Sequence, residues 1–110
     1  MPTKHKRATV IGGSLAGLFA GALLHRGGWE VQVYERSPRE LESRGGGIVL
    51  QPEVVEVFRR LELDPDGPAG VWARERIFLD RAGRIAQRMT VLQKQTSWNA
   101  IYRALRTVFP

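Results

Sequence analysis

The sequence has no cysteine and only two histidines. Without thiols the chain forms neither a disulfide framework nor a thiolate metal site, and His5 and His25 are too far apart in sequence to suggest a shared ion. We therefore predict no metal site. The absence of cysteine leaves the redox compartment open, and a cytoplasmic location is the simplest expectation.

Repeats and low-complexity segments are also absent, and aromatic residues make up only 8% of the chain. Hydrophobic residues account for 43% of the 110 positions. A chain of this size and composition is expected to form at most one domain, with a modest core.

Negative charge is scarce: the net charge is +6 and the isoelectric point is near 10.8. Such a balance suits a partner that carries phosphate, either a nucleic acid or a nucleotide cofactor. The arginines are spread from Arg7 to Arg106, and the aromatic and basic motifs of RNA-binding folds are absent. We therefore predict no nucleic-acid partner, and solvated arginines explain most of the excess charge.

The longest uncharged run extends from Ala8 to Leu24, directly after the basic stretch Lys4–Arg7. This arrangement also resembles a secretory signal, and its glycines have the GxxxG spacing of packed membrane helices. However, the run has 17 residues, fewer than the ~20 that a spanning helix needs. Its β-branched start, Thr9–Ile11, gives way to helical spacing after Ser14, which favours a strand, a turn and a helix. We predict no membrane span.

A second strand pattern, Glu30–Tyr34, follows Gly27 and Gly28. Strand, glycine turn, helix and strand together have the length of a β-α-β unit, about 30 residues. We therefore predict an α/β fold in which a Rossmann-like β-α-β unit is accompanied by further strands and helices.

The glycine turn matches a dinucleotide-binding pattern in which serine replaces the middle glycine, at Gly12, Ser14 and Gly17. In such a unit the first glycine permits a tight turn, the middle position lies against a pyrophosphate, and the third glycine lets helix and sheet pack closely. Backbone N–H groups and the positive end of the helix dipole would face the anion. The alternative is a glycine-rich turn that binds nothing.

An acidic residue, Glu35, follows the second strand, 18 residues after Gly17. A carboxylate in this place accepts hydrogen bonds from an adenosine ribose and repels a 2′-phosphate, so the pattern favours FAD or NAD over NADP. Arg36 lies next to it, and a surface arginine is the simpler interpretation of that residue.

Three consecutive glycines, at positions 45–47, precede the apolar residues Ile48 and Val49. Glycines here allow the backbone to approach a ligand, and Arg44 could place a positive charge against a pyrophosphate. A flexible hinge with an ordinary surface arginine is an equally open interpretation.

The remaining sequence predicts two helices and three strands. Pro52 suits the first turn of a helix that continues to about Leu61. Strand patterns occupy positions 71–73, 76–79 and 85–91, the last two joined by a turn at 80–83. A final helix is predicted from about Ser97, its cap, to Phe109. Its inward face consists of Ile101, Leu105 and Val108.

Together these features resemble the N-terminal part of the FAD-dependent aromatic hydroxylases of the p-hydroxybenzoate hydroxylase type, in particular members like 2,6-dihydroxypyridine 3-monooxygenase. The matching stretches are VIGGSLAGL, VQVYERS, GGGIVLQPE and TSWNAIYRALRTVFP. The resemblance extends over nearly the whole chain, and the combination is more specific than the glycine motif alone. One position departs from the family: Tyr102 stands where many members carry an arginine that touches the cofactor.

The resemblance implies an FAD site. The pyrophosphate would lie among Gly12, Ser14, Leu15 and Gly17, and the adenosine ribose against Glu35, with Arg36 beside it. Arg44 and the backbone of Gly47, Ile48 and Val49 would approach the pyrophosphate, the ribityl chain or the flavin. Complete enzymes of this family use NAD(P)H as co-substrate and O2 to hydroxylate a small aromatic substrate, with the flavin carrying the chemistry.

The family pattern continues well beyond 110 residues, with further cofactor motifs and a substrate domain. The resemblance therefore implies that residues 1–110 are the N-terminal part of an FAD-binding domain, from a fragment or a truncated gene product, and are not catalytic alone. The sequence does not define the substrate or the catalytic residues. Two alternatives stay open: another FAD- or NAD-dependent oxidoreductase, and a non-enzymatic module whose glycine turn is vestigial.

Overall fold

The computed structural model describes residues 5–37, 46–64 and 70–109, which form two sheets and three helices. In chain order the elements are β1 (Arg7–Ile11), α1 (Leu15–Arg26), β2 (Glu30–Tyr34), β3 (Gly47–Val49), α2 (Pro52–Arg60), β4 (Val71–Leu79), β5 (Ile85–Ser97) and α3 (Trp98–Arg106). The fold is mixed α/β, as predicted.

The first three elements form a Rossmann-like β-α-β unit. β1 and β2 are parallel, in a register that pairs Arg7 with Glu30 and Ile11 with Tyr34. The uncharged run that begins at Ala8 is therefore divided at the glycine turn between β1 and α1. Among the described residues, no helix has the length and apolar character needed to cross a membrane.

The second sheet is antiparallel, with the strand order β3-β5-β4. The two strands predicted at 71–73 and 76–79 form one strand, β4, because a shift in register between Ala73 and Glu75 absorbs the break in the pattern. β5 continues to Ser97, beyond the predicted end at Val91, because its last residues pair with β3. That pairing is long-range and leaves no local pattern in the sequence.

The core lies among the three helices. Its buried hydrophobic residues are Leu18 and Ala22 from α1, Phe58 from α2 and Leu61 just after it, and Ile101, Tyr102 and Leu105 from α3. Ser97 caps α3 as predicted, since its hydroxyl accepts a hydrogen bond of 3.1 Å from the Ala100 N–H. The predicted inward face of α3 is confirmed, with Val108 packed against the cluster.

α3 ends at Arg106, earlier than the predicted end at Phe109. The Thr107 hydroxyl donates to the Ala104 carbonyl at 2.6 Å, and the Val108 N–H donates to the Leu105 carbonyl at 3.1 Å. These bonds reach back only three residues, which is how a helix commonly tightens and ends.

The molecule is long and thin, with extents of 68 × 30 × 17 Å and a radius of gyration of 18.0 Å. A globule of this length has a radius of gyration of about 13 Å. The β4–β5 hairpin explains the difference, because the 13 residues of β5 alone span about 43 Å at the usual rise per residue.

Candidate functional site

The turn between β1 and α1 has the backbone geometry that the glycine motif predicts. Gly12 has a φ of +106°, which L-residues rarely adopt, and nothing lies within 4 Å of the place a Cβ would take. Its N–H donates to the Tyr34 carbonyl at 2.7 Å, which extends the β1–β2 ladder by one residue. The chain therefore leaves the sheet in a sharp turn that requires glycine at position 12.

Gly17 lies on the side of α1 that contacts this turn. A Cβ at position 17 would collide with the carbonyl oxygen of Gly12 and would lie 3.3 Å from Cγ1 of Val10. Close packing of helix against turn therefore excludes any side chain at this position.

Ser14 is the N-cap of α1, with an extended backbone and no capping hydrogen bond from its side chain. It is exposed, whereas Leu15 is half-buried and packs against the core. The first turn of α1 contains no acidic residue. Because the first N–H groups of a helix lack intrahelical acceptors and carry the positive end of the dipole, this end of α1 suits an anion.

The Glu35 carboxylate is bonded to the same turn. Its Oε1 accepts a hydrogen bond of 3.1 Å from the Gly13 N–H, and its Oε2 accepts one of 2.6 Å from the Ser37 N–H. The acid therefore lies at the carboxyl ends of two parallel strands, which is where α/β sheets bind ligands.

Gly13 belongs to this arrangement, although the sequence motif did not predict it, because it occupies a variable position between Gly12 and Ser14. It is buried, and a Cβ there would lie 3.1 Å from Cβ of Glu35 and 3.4 Å from its Cγ. The doubled glycine is the sequence feature that could have revealed it.

The other predicted site residues lie outside the glycine turn. Arg36 is exposed, and Arg44 falls outside the described residues. The triplet Gly47, Ile48 and Val49 forms β3 and pairs with the end of β5. A Cβ on Gly47 would have only an ordinary contact with the Thr96 carbonyl oxygen, at 3.8 Å, so packing does not require glycine there. Ligand contacts by these residues stay predictions.

Tyr102, at the position where many hydroxylases carry arginine, lies inside the helix cluster. It is 4% exposed, and its ring stacks on that of Trp98 with centroids 4.8 Å apart and planes at 16°. The one-turn spacing of these residues had predicted a packing pair. The Tyr102 ring therefore belongs to the core.

A cleft of about 380 Å³ opens at the other end of α1. It is lined by His25, Arg26, Leu61, Leu63, Thr107 and Val108. Arg26 is paired there with Glu62 at 2.5 Å. α1 is about 18 Å long at the usual helical rise, so the cleft is remote from the glycine turn and we do not assign it to the same site.

No protein-family model matches the chain. Over 60 residues it is 48% identical to 2,6-dihydroxypyridine 3-monooxygenase of Paenarthrobacter nicotinovorans, which covers 53% of this chain and 15% of that relative. The solved structure of 2,6-dihydroxypyridine-3-hydroxylase from Arthrobacter nicotinovorans matches with a TM-score of 0.84 at 33% identity, over 99% of this chain and 28% of that one. The chain is related to a segment of the FAD-dependent aromatic hydroxylases.

More distant hydroxylase structures share the fold. The Klebsiella pneumoniae protein HpxO, solved with FAD and uric acid, matches with a TM-score of 0.73 at 20% identity, over 96% of this chain. The hydroxylase-related chain spans only about a sixth of the length of the first curated relative and 28% of the first solved one. This similarity therefore establishes family and fold, while activity and substrate belong to the proposal below.

Proposed function

We propose that the chain binds FAD through its β1–α1–β2 unit and serves the hydroxylation of a small aromatic substrate. The observation that carries the proposal is the packing of Gly17 against Gly12 at the start of α1, with the Glu35 carboxylate bonded to the same turn. A glycine turn, a helix N-terminus and an acid in this order are the elements of a dinucleotide site. The relationship to FAD-dependent hydroxylases supports FAD as the nucleotide.

The residues present fit the adenosine pyrophosphate part of FAD. The open side of Gly12 and the exposed Ser14 leave room beside the first N–H groups of α1, and Leu15 and Gly17 hold that helix against the sheet. A carboxylate has about four acceptor sites, so Glu35 can accept from ribose hydroxyls while it holds two backbone N–H groups. No acidic residue in the first turn of α1 repels the phosphates.

We assign the remaining contacts to the residues that the family resemblance indicates. Arg36 would lie beside the ribose, and Arg44 would neutralise pyrophosphate charge. The backbone of β3, with Gly47, Ile48 and Val49, would approach the ribityl chain or the flavin. Bound FAD would supply the redox chemistry of hydroxylation with NAD(P)H and O2, and the chain would supply binding and orientation.

The test is a titration of the purified chain with FAD, followed by thermal unfolding. A ligand that binds only the folded state stabilises it by about 2.7 kcal/mol at a concentration one hundred times its Kd, so the unfolding midpoint should rise. Gly17→Ala should abolish the rise. Gly27→Ala is the matched control, because it lies at the other end of α1 and an added Cβ has only ordinary contacts, the nearest at 3.4 Å.

An unchanged midpoint at saturating FAD would contradict the proposal. A rise with NAD and none with FAD would instead favour a different oxidoreductase.

A further inference from the structure

We infer that Gly13 and Glu35 act as a pair in which Gly13 orients the carboxylate before any nucleotide binds. Gly13 would be a positioning residue: it touches no ligand itself and acts through Glu35. The inference rests on the proposed function for its ligand, the adenosine ribose. The pairing itself exists in the ligand-free chain and can be measured there.

The geometry of Gly13 carries the first step. Its N–H donates to Oε1 of Glu35 at 3.1 Å, and the hydrogen bond is partly buried. The absence of a side chain leaves the space in which the Glu35 Cβ and Cγ lie, since an added Cβ would be 3.1 Å and 3.4 Å from these atoms. Gly13 therefore fixes both the path of the Glu35 side chain and the direction of its carboxylate.

Steric and conformational effects can be separated at this position. Gly13 is not among the glycines with positive φ, which in the described residues are Gly12, Gly28 and Gly83. Its other close neighbour, Cγ1 of Val33, would lie 3.7 Å from an added Cβ, which is an ordinary contact. Alanine at position 13 is therefore permitted by the backbone, and the neighbour that it displaces is Glu35.

The chemistry of Glu35 carries the second step. Both printed partners of the carboxylate, the N–H groups of Gly13 and Ser37, are donors. Glutamine has the same length but replaces one acceptor oxygen with a donor group, so it cannot serve both N–H groups. Aspartate keeps the charge but is shorter by one methylene and cannot span the same two donors.

The first experiment is a double-mutant cycle on the ligand-free chain, with Gly13→Ala, Glu35→Gln and the double variant. Each single substitution should lower the thermal unfolding midpoint by about 4–8 °C if it costs roughly 1 kcal/mol. The double variant should unfold at about the midpoint of Glu35→Gln alone, because Gly13 has then no carboxylate to orient. Additive shifts would overturn the pairing.

The second experiment compares the affinities of the chain for ADP and for 2′-deoxy-ADP. A ribose hydroxyl bonded to a well-oriented carboxylate should make ADP bind about tenfold more tightly. Gly13→Ala should move this ratio toward one, whereas Gly27→Ala should leave it unchanged. A role in stability alone would weaken both ligands equally and keep the ratio, and that result would overturn the inference.

Glu35→Asp provides the same comparison if Gly13→Ala does not fold: it keeps the charge but should lose the preference for the ribose hydroxyl, and a retained preference would count against the pairing. If the unsubstituted chain binds neither nucleotide, the proposed function fails. The ligand-free cycle then still decides whether Gly13 orients Glu35.

Discussion

Compared with the helix cluster, the β4–β5 hairpin leaves its large apolar side chains in contact with solvent. Leu18 and Leu105 in the cluster are 3% and 0% exposed, whereas Val71 and Leu92 in the hairpin are 73% and 68% exposed. Burial of apolar surface therefore stabilises the cluster far more than the hairpin. The hairpin depends instead on its backbone ladder and on the turn that connects its strands.

That turn is built from local interactions. The Asp80 side chain accepts hydrogen bonds from the N–H groups of Ala82 at 2.8 Å and Arg84 at 2.9 Å. Gly83 adopts a φ of +81°. The glycine turn between β1 and α1 is different, because Gly17 and Glu35 constrain it from other elements. The two turns thus separate local from tertiary control of the backbone.

The largest effect should come from truncating the cluster. Leu105→Ala removes a fully buried side chain and should lower the free energy of unfolding by about 2–5 kcal/mol. Its matched variant in the hairpin, Leu92→Ala, should change it by no more than about 0.5 kcal/mol. Urea unfolding of both variants measures the contrast, and equal losses would show that the hairpin is stabilised by burial after all.

Gly17→Ala should have the next largest effect, because the added Cβ collides with the Gly12 carbonyl. Forcing extra volume into a packed contact costs about 1–3 kcal/mol. The loss should appear in urea unfolding of the ligand-free chain. Gly46→Ala is the control, since nothing lies within 4 Å of a Cβ there; a similar loss in both would remove the steric explanation.

In the hairpin, Gly83→Ala should destabilise for a conformational reason. Nothing lies within 4 Å of a Cβ at this position, but an L-residue in this region of φ costs roughly 1–2 kcal/mol. Gly83→Asn should lose less, since asparagine tolerates the left-handed conformation. Thermal unfolding ranks the two variants, and an equal loss from both would point to a contact and not to φ.

The smallest effect is expected from exposed charges. Glu56 on α2 accepts hydrogen bonds from Arg59 at 2.6 Å and from Arg60 at 3.1 Å. These bonds, first that of Arg59, hold the pKa of the Glu56 carboxyl below its ordinary value. A lowered folded-state pKa contributes stability above the unfolded-state pKa, and this is lost as the pH falls through the folded-state pKa.

Glu56→Gln should therefore lower the unfolding midpoint slightly at neutral pH and leave it unchanged in acid. Added salt should reduce the difference, because both partners are exposed. Glu75→Gln is the hairpin counterpart, with a longer ion pair of 3.4 Å to Arg88. A difference between Glu56→Gln and the unsubstituted chain that persists in acid would exclude the carboxylate as its cause.

Much of the fold could be predicted from sequence because its patterns are local. The strand Glu30–Tyr34, the cap at Ser97 and the hairpin turn each depend on residues that are neighbours in the chain. The extension of β5 to Ser97 could not, because it depends on pairing with β3, which is distant in sequence. The same distinction applies to the candidate site, where Gly12 and Gly17 were evident and Gly13 was not.

The sequence by itself determined the order of strands and helices, the tight turn at Gly12 and the presence of an acid after β2. Each follows from local conformational preference or from a spacing along the chain. Only the tertiary structure decided that Glu35 bonds back to Gly13, that Tyr102 is buried, and that the apolar residues of the hairpin remain exposed. These properties depend on which distant elements meet, and a linear pattern does not specify those contacts.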